Sequence, residues 1–181
     1  MDSANFAPQM KRTLTEINDM TANEFTTLLS GVYEHSPWIA AATATLRPFE
    51  SLGALSTTMR EVMDNASEDA QLDLIRAHPD LAGKLAQLGQ LTAESIREQA
   101  AAGMGAMSPE ELQTMTSHNE AYREKFGFPF IICARRHTKD FILTVIAARL
   151  QNTPATERAT ALAEIHQIAQ LRIDDLLCLE D

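Results

Sequence analysis

The apolar positions of this chain recur at helical spacing almost from end to end. Thr21-Ala22-Asn23-Glu24 has the form of a capping box. It stands ahead of Phe25, Leu28, Leu29 and Val32, which share one helix face. Gly31 interrupts that run, and Glu34-His35-Ser36-Pro37-Trp38 turns a corner. There Ser36 is placed to cap, and Pro37 to open, a short helix over 38–46. Arg47-Pro48-Phe49 breaks it. Leu52, Leu55, Met59, Val62 and Met63 then mark a helix over 52–63. Ser67 caps the next run, with Leu72 and Ile75 on one face. That run must end near Ala77 or His78, because Pro79 disfavours α conformation in the residue before it. Leu81, Leu85 and Leu88 form a brief amphipathic run closed by Gly89. Thr92 or Ser95 opens a helix over 94–102, ended by Gly103 and Gly105. Ser108-Pro109-Glu110-Glu111 combines cap, first-turn proline and third-position glutamate. It starts a helix that reaches about Lys125. Helices over 138–151 and 155–177 follow, the second capped by Thr153-Pro154.

Strand signals are scarce by comparison. The apolar segment 126–134 has strand composition but no partner strand, so it reads as a buried extended connection. The expected fold is all-α, a single-domain bundle of about eight to ten helices around that connection. Residues 1–10 are expected to be a disordered leader or extension, and 11–181 one helical domain.

Composition narrows the function. A net charge of −10 over 181 residues argues against nucleic acid and against anionic membrane surfaces. No apolar run nears the ~20 residues that span a bilayer. Two cysteines without a CxxC, and no basic-then-apolar start, lead us to expect a cytoplasmic protein without a disulfide framework. No HxxxH or HExxH spacing occurs, so no metal site is expected. A glycine-rich phosphate loop and a nucleophile elbow are also missing from the sequence.

Three stretches can carry chemistry. His78-Pro79-Asp80 puts a histidine at an inter-helix corner, where its charge can change near neutral pH. Ser95, Glu98 and Gln99 lie at i, i+3 and i+4 on one helix face, while Arg97 points elsewhere. That face offers a hydroxyl, a carboxylate and an amide, which suits a polar planar heterocycle. A solvated helix face is the ordinary alternative. The connection 126–134 brings backbone N–H and C=O groups that need partners, a ligand among them. His35 suits a turn, and His118, His137 and His166 read as surface residues. Cys133 lies in an apolar run that would raise its pKa and leave it inert.

Together these stretches resemble the 2-oxo-4-hydroxy-4-carboxy-5-ureidoimidazoline (OHCU) decarboxylase family. The resemblance is carried by Glu34-His35-Ser36-Pro37-Trp38-Ile39-Ala40, Arg47-Pro48-Phe49 and Ala77-His78-Pro79-Asp80-Leu81-Ala82-Gly83. It extends through Ser95-Ile96-Arg97-Glu98-Gln99, Lys125 to Ala134, Arg149-Leu150-Gln151-Asn152 and the stretch from Glu164 to Arg172. The segment after Gln99, with Met104 and Met107 around two glycines, departs from the family pattern. The resemblance implies an all-helical, cofactor-free, typically homodimeric enzyme. Its small-molecule substrate, a ureidoimidazoline, would lose CO2 to give S-allantoin in urate breakdown. It further implies His78 as the proton-transfer residue, with Glu98 orienting it or holding a substrate N–H. Pro79, Ser95, Ile96, Arg97, Gln99, Phe130, Ile131, Ile132, Cys133, Ala134 and Arg172 would bind substrate. The rival readings are a non-catalytic helical interaction module and an enzyme for another ureido or hydantoin compound.

Overall fold

The computed structural model describes residues 11–83 and 91–178. Among these are nine α-helices: α1 (Leu14–Asp19), α2 (Ala22–Leu29), α3 (Pro37–Ala44), α4 (Leu52–Asp64), α5 (Glu68–Arg76), α6 (Ala93–Ala101), α7 (Pro109–Phe126), α8 (Lys139–Arg149) and α9 (Pro154–Leu176). Single 3₁₀ turns occur at Met104–Ala106 and Ala134–Arg136. The expected leader, 1–10, and the run through Leu85 and Leu88 fall outside the described residues. No helix among those described is long and apolar enough to cross a membrane.

Local chemistry sets the helix starts. Thr13, Thr21, Ser51, Ser67, Thr92, Ser108, Thr138 and Thr153 each accept a backbone N–H from the first turn of the helix that follows. Such caps are worth ~1 kcal/mol each. Full capping boxes form at Thr13/Glu16, Thr21/Glu24 and Ser108/Glu111. Ser36 departs from expectation. Its side chain makes no cap bond, and Pro37 in the first turn sets the start of α3 instead.

The core gathers around α9, which packs against α4, α5 and α7. Ile17, Phe25, Ile39, Leu55, Met59, Ile75, Met115, Ile142, Ile146 and Ala161 are fully excluded from water. A short parallel pairing joins the two ends of the described chain. β1 (Arg12–Thr13) meets β2 (Leu177–Cys178) in the register Arg12 to Leu177 and Thr13 to Cys178. Helical periodicity gives no sign of it.

Gly127, at φ +75°, ends α7 in the left-handed region that glycine adopts without strain. The chain then runs extended and buried through Phe128, Phe130, Ile131, Ile132 and Cys133. Side chains supply its backbone partners. Arg149 Nη1 donates to Ile131 O at 2.8 Å, and the Cys133 N–H donates to Glu164 Oε2 at 2.8 Å. Arg149 also lies over the Phe130 ring, 4.6 Å from its centroid. Glu157, fully buried, accepts Arg149 Nε at 2.6 Å, Asn152 Nδ2 at 2.8 Å and the Tyr122 hydroxyl. A buried charge must be paired and hydrogen-bonded to persist. This quartet meets that demand and holds the connection against α8 and α9.

Candidate active site

His78 follows α5 at the corner that Pro79 imposes. It is 6 % exposed. Its Nδ1 lies 2.9 Å from Leu74 O. A carbonyl can only accept, so the proton sits on Nδ1 and Nε2 carries the lone pair. That Nε2 is buried and has no hydrogen-bond partner among the described residues. Burial pushes the imidazole down to about 4, against smaller opposing effects of the Leu74 bond and Glu34. The resting residue is therefore neutral near pH 7, with its basic nitrogen unused.

The turn behind His78 is tight. Gly83 N–H donates to Asp80 O at 3.2 Å, and a Cβ on Gly83 would stand 2.7 Å from Asp80 Cβ. Ala82 is held at φ +49°, uncommon for any residue but glycine. Two amide side chains grip the single peptide group between Leu81 and Ala82. Asn119 Nδ2 donates to Leu81 O at 2.9 Å, and Gln99 Oε1 accepts the Ala82 N–H at 2.9 Å. Gln99 is thereby oriented, with its oxygen spent on the turn and its NH₂ end left to offer.

Helix α6 brings Ser95, Glu98 and Gln99 to one side, as the i, i+3, i+4 spacing requires. Opposite stands Arg172 of α9, 4 % exposed. It grips Glu98 fork to fork, Nε to Oε1 at 2.7 Å and Nη2 to Oε2 at 2.8 Å. Its Nη1 donates to Glu34 Oε2 at 2.8 Å and to Gly31 O at 2.9 Å. Burial works against the charge on Arg172, but the two carboxylates outweigh it and raise its pKa. For Glu34, burial works to raise the pKa and Arg172 prevails in lowering it. Glu98 makes no hydrogen bond to His78; Leu74 O orients the imidazole.

These groups surround a small cavity of about 40 Å³. Its wall includes His78, Pro79, Ser95, Glu98, Gln99, Phe130, Ile131, Ile132, Cys133, Ala134 and Arg172, so three separate sequence stretches and α9 converge here. Burial pushes the Cys133 thiol up to about 11, so it stays protonated. The backbone N–H groups of Ile131 and Ile132 make no hydrogen bond among the described residues. Ile96 and Arg97 are not brought to the cavity. Ile96 is 49 % exposed, and Arg97 pairs with Glu94 at 3.3 Å on the outer side of α6. One helix face cannot admit five consecutive residues, which is why the contiguous motif overstates the wall.

Leu81, Arg135, Ile168 and Leu171 also line the cavity and are not foreseen from the sequence. Ile168, Leu171 and Arg172 lie at i, i+3 and i+4 on α9, a signal hidden in an evenly amphipathic helix. Arg135 is clamped bidentately by Asp175, at 2.6 and 3.2 Å.

A family model described as OHCU decarboxylase matches residues 18–174. The OHCU decarboxylase of Amia calva is 39 % identical over 164 residues, 91 % of this chain and 94 % of that protein. Solved crystal structures are similar as well. One, of an (S)-allantoin synthase, has a TM-score of 0.77 and 30 % identity, covering 92 % of this chain and 54 % of that one. Another, of an OHCU decarboxylase in the presence of (S)-allantoin, has a TM-score of 0.66 and 26 % identity, covering 85 % of this chain and 96 % of that one.

Proposed function

Since the chain belongs to the OHCU decarboxylase family, we propose that the cavity between α6, α9 and the extended connection is where it works, with His78 as its proton carrier. The protein is a decarboxylase of urate catabolism. It converts 2-oxo-4-hydroxy-4-carboxy-5-ureidoimidazoline to (S)-allantoin and CO2.

The observation that carries the site reading is the orphaned Nε2 of a buried, neutral histidine on the cavity wall. Such an atom can take a proton and give it back. The substrate has a carboxylate and a hydroxyl on one ring carbon, beside a carbon doubly bonded to nitrogen. When the carboxylate leaves as CO2, the electrons of the broken C–C bond move into the C=N group. The ring nitrogen takes a proton from solvent water, the one proton that the overall reaction consumes, and an enol remains. His78 Nε2 then removes the hydroxyl proton, and the imidazolium returns it to the carbon bearing the ureido group. The enol becomes a carbonyl and one stereocentre is set. The substrate supplies its own electron sink, so this route calls on no cofactor.

The surroundings suit that course. One cation, Arg172, faces two anions, Glu34 and Glu98, leaving the buried cluster at −1. Arg172 therefore has no uncompensated charge with which to hold the substrate carboxylate in place, and departure as neutral CO2 relieves a negative site. Gln99 NH₂ and the N–H groups of Ile131 and Ile132 suit carbonyl oxygens of the ring and ureido arm. Pro79, Phe130, Cys133 and Ala134 shape the apolar walls. A homodimer in the cytoplasm and a single domain over 11–181 belong to the same reading, supported by the family resemblance.

The test is circular dichroism of freshly generated urate-oxidation product with added protein. Rapid, one-handed allantoin formation is expected, and no acceleration over the spontaneous reaction would overturn the reading. Light scattering on the pure protein tests the dimer.

A further inference from the structure

Glu34 does not line the cavity, yet it touches two residues that do. It is 3 % exposed. On one side its Oε2 accepts Arg172 Nη1 at 2.8 Å. On the other, its Oε1 accepts the hydroxyls of Thr92 at 3.0 Å and Ser95 at 3.3 Å. Thr92 is the N-cap of α6 and accepts the Ser95 N–H at 3.2 Å. A single carboxylate thus ties the first turn of α6 to the arginine of α9. It also places a negative charge at the N-terminal end of α6, where the helix dipole favours one.

The bond from Ser95 has a second effect. A hydroxyl has one proton, and that of Ser95 is spent on Glu34. Ser95 Oγ can offer the cavity only lone pairs. Gln99 shows the mirror case, its oxygen spent on Ala82 and its NH₂ left to donate. Partners outside the cavity therefore set which of its polar groups accept and which donate.

We propose that Glu34 is a positioning and specificity-determining residue for the decarboxylation: it locks the Arg172–Glu98 pair to α6 and fixes Ser95 as an acceptor for a substrate N–H. This rests on the decarboxylase reading above. Glu34→Gln keeps the shape and exposes the role. Its amide must turn NH₂ toward Arg172, donor against donor, or toward Thr92 and Ser95, which turns the Ser95 proton into the cavity. Glu34→Asp keeps the charge but is one methylene too short to reach both sides.

The experiment measures decarboxylation kinetics, calorimetric binding of (S)-allantoin and melting curves for the parent and both variants. For folded Glu34→Gln, KM and the (S)-allantoin Kd should rise together by about tenfold or more, the effect of one lost hydrogen bond to a charged group. Glu34→Asp should show a smaller rise in both. A residue that served stability alone would lower the active fraction, and with it the apparent kcat, at unchanged KM and Kd. That pattern overturns the proposal, as do parental values in folded Glu34→Gln and loss of fold in both variants. A parent that binds (S)-allantoin without turning over substrate would sink the decarboxylase reading alone. Glu34 would then be judged on Kd.

Discussion

Glu98 gives both its carboxylate oxygens to Arg172, at 2.7 and 2.8 Å, across 74 residues of chain. The pair is nearly dry, with side chains 12 % and 5 % exposed. Losing a hydrogen bond between charged groups costs about 1.5–3 kcal/mol, and Glu34 remains as a partner for the cation. Glu98→Gln and Arg172→Lys should each lower the melting temperature and weaken substrate binding. Combined, they should cost less than the sum of the two, because both break one interaction. Additive losses in a double-mutant cycle would show that the two residues act apart.

His78→Asn retains hydrogen-bonding capacity but cannot carry a proton between pH 5 and 8. It should bind (S)-allantoin near parental affinity and lose roughly 10²- to 10⁴-fold in kcat, the contribution of a placed acid–base group. Because no bond joins His78 to Glu98, the loss in the His78→Asn/Glu98→Gln double variant should be close to the product of the single losses. Steady-state rates for the four proteins decide this. A folded His78→Asn protein at parental rate would remove His78 from the chemistry.

The histidine also sets an acid limit on stability. Its pKa is about 4 in the folded protein, below the ordinary 6.5. The unfolded chain therefore binds the proton more readily, and stability rises with pH across that interval. The contribution is full above 6.5 and is lost as pH falls through 4. Between these values the parent should lose stability more steeply than His78→Gln, measured by urea unfolding at several pH values. Parallel slopes would mean that His78 does not titrate as a buried neutral group.

Gly83→Ala tests the turn behind the histidine. Its Cβ would stand 2.7 Å from Asp80 Cβ, a contact that requires the backbone to move. Overpacking of this kind costs about 1–3 kcal/mol. Because the Leu81–Ala82 peptide just before Gly83 is the one gripped by Gln99 and Asn119, substrate affinity should fall together with the melting temperature. Unchanged KM with a lower melting temperature would confine the effect to stability.

Dialysis against a strong chelator should leave the rate intact. The sequence has no histidine, cysteine or carboxylate cluster at metal-ligand spacing, and the substrate's C=N group accepts the electrons. Activity lost to the chelator and restored by zinc or manganese would refute this.

Much of this was legible in the sequence, for identifiable reasons. Thr21/Glu24 and Ser108/Glu111 are local signals, each acting within a few residues, and each marks a helix boundary in the fold. His78 could be placed at a corner because Pro79 acts on its immediate neighbour. The Ser95, Glu98 and Gln99 face follows from helical periodicity alone. What could not be read is long in sequence and short in space. Glu34 meets Ser95 across 61 residues and Arg172 across 138. Nothing local to Glu34 distinguishes it from the exposed glutamates nearby. Nor does the sequence show that Glu98 pairs with Arg172, since only the packing of α6 on α9 brings the two together.

The pairing of Arg12–Thr13 with Leu177–Cys178 makes the described chain a ring in the topological sense. The start of α1 and the end of α9 share one set of hydrogen bonds, so neither can fray alone. Arg172 lies one helical turn before that closure, on the helix that closes the ring. Arg172 is thereby set beside that brace, and opening the pairing from either strand would loosen the site from behind.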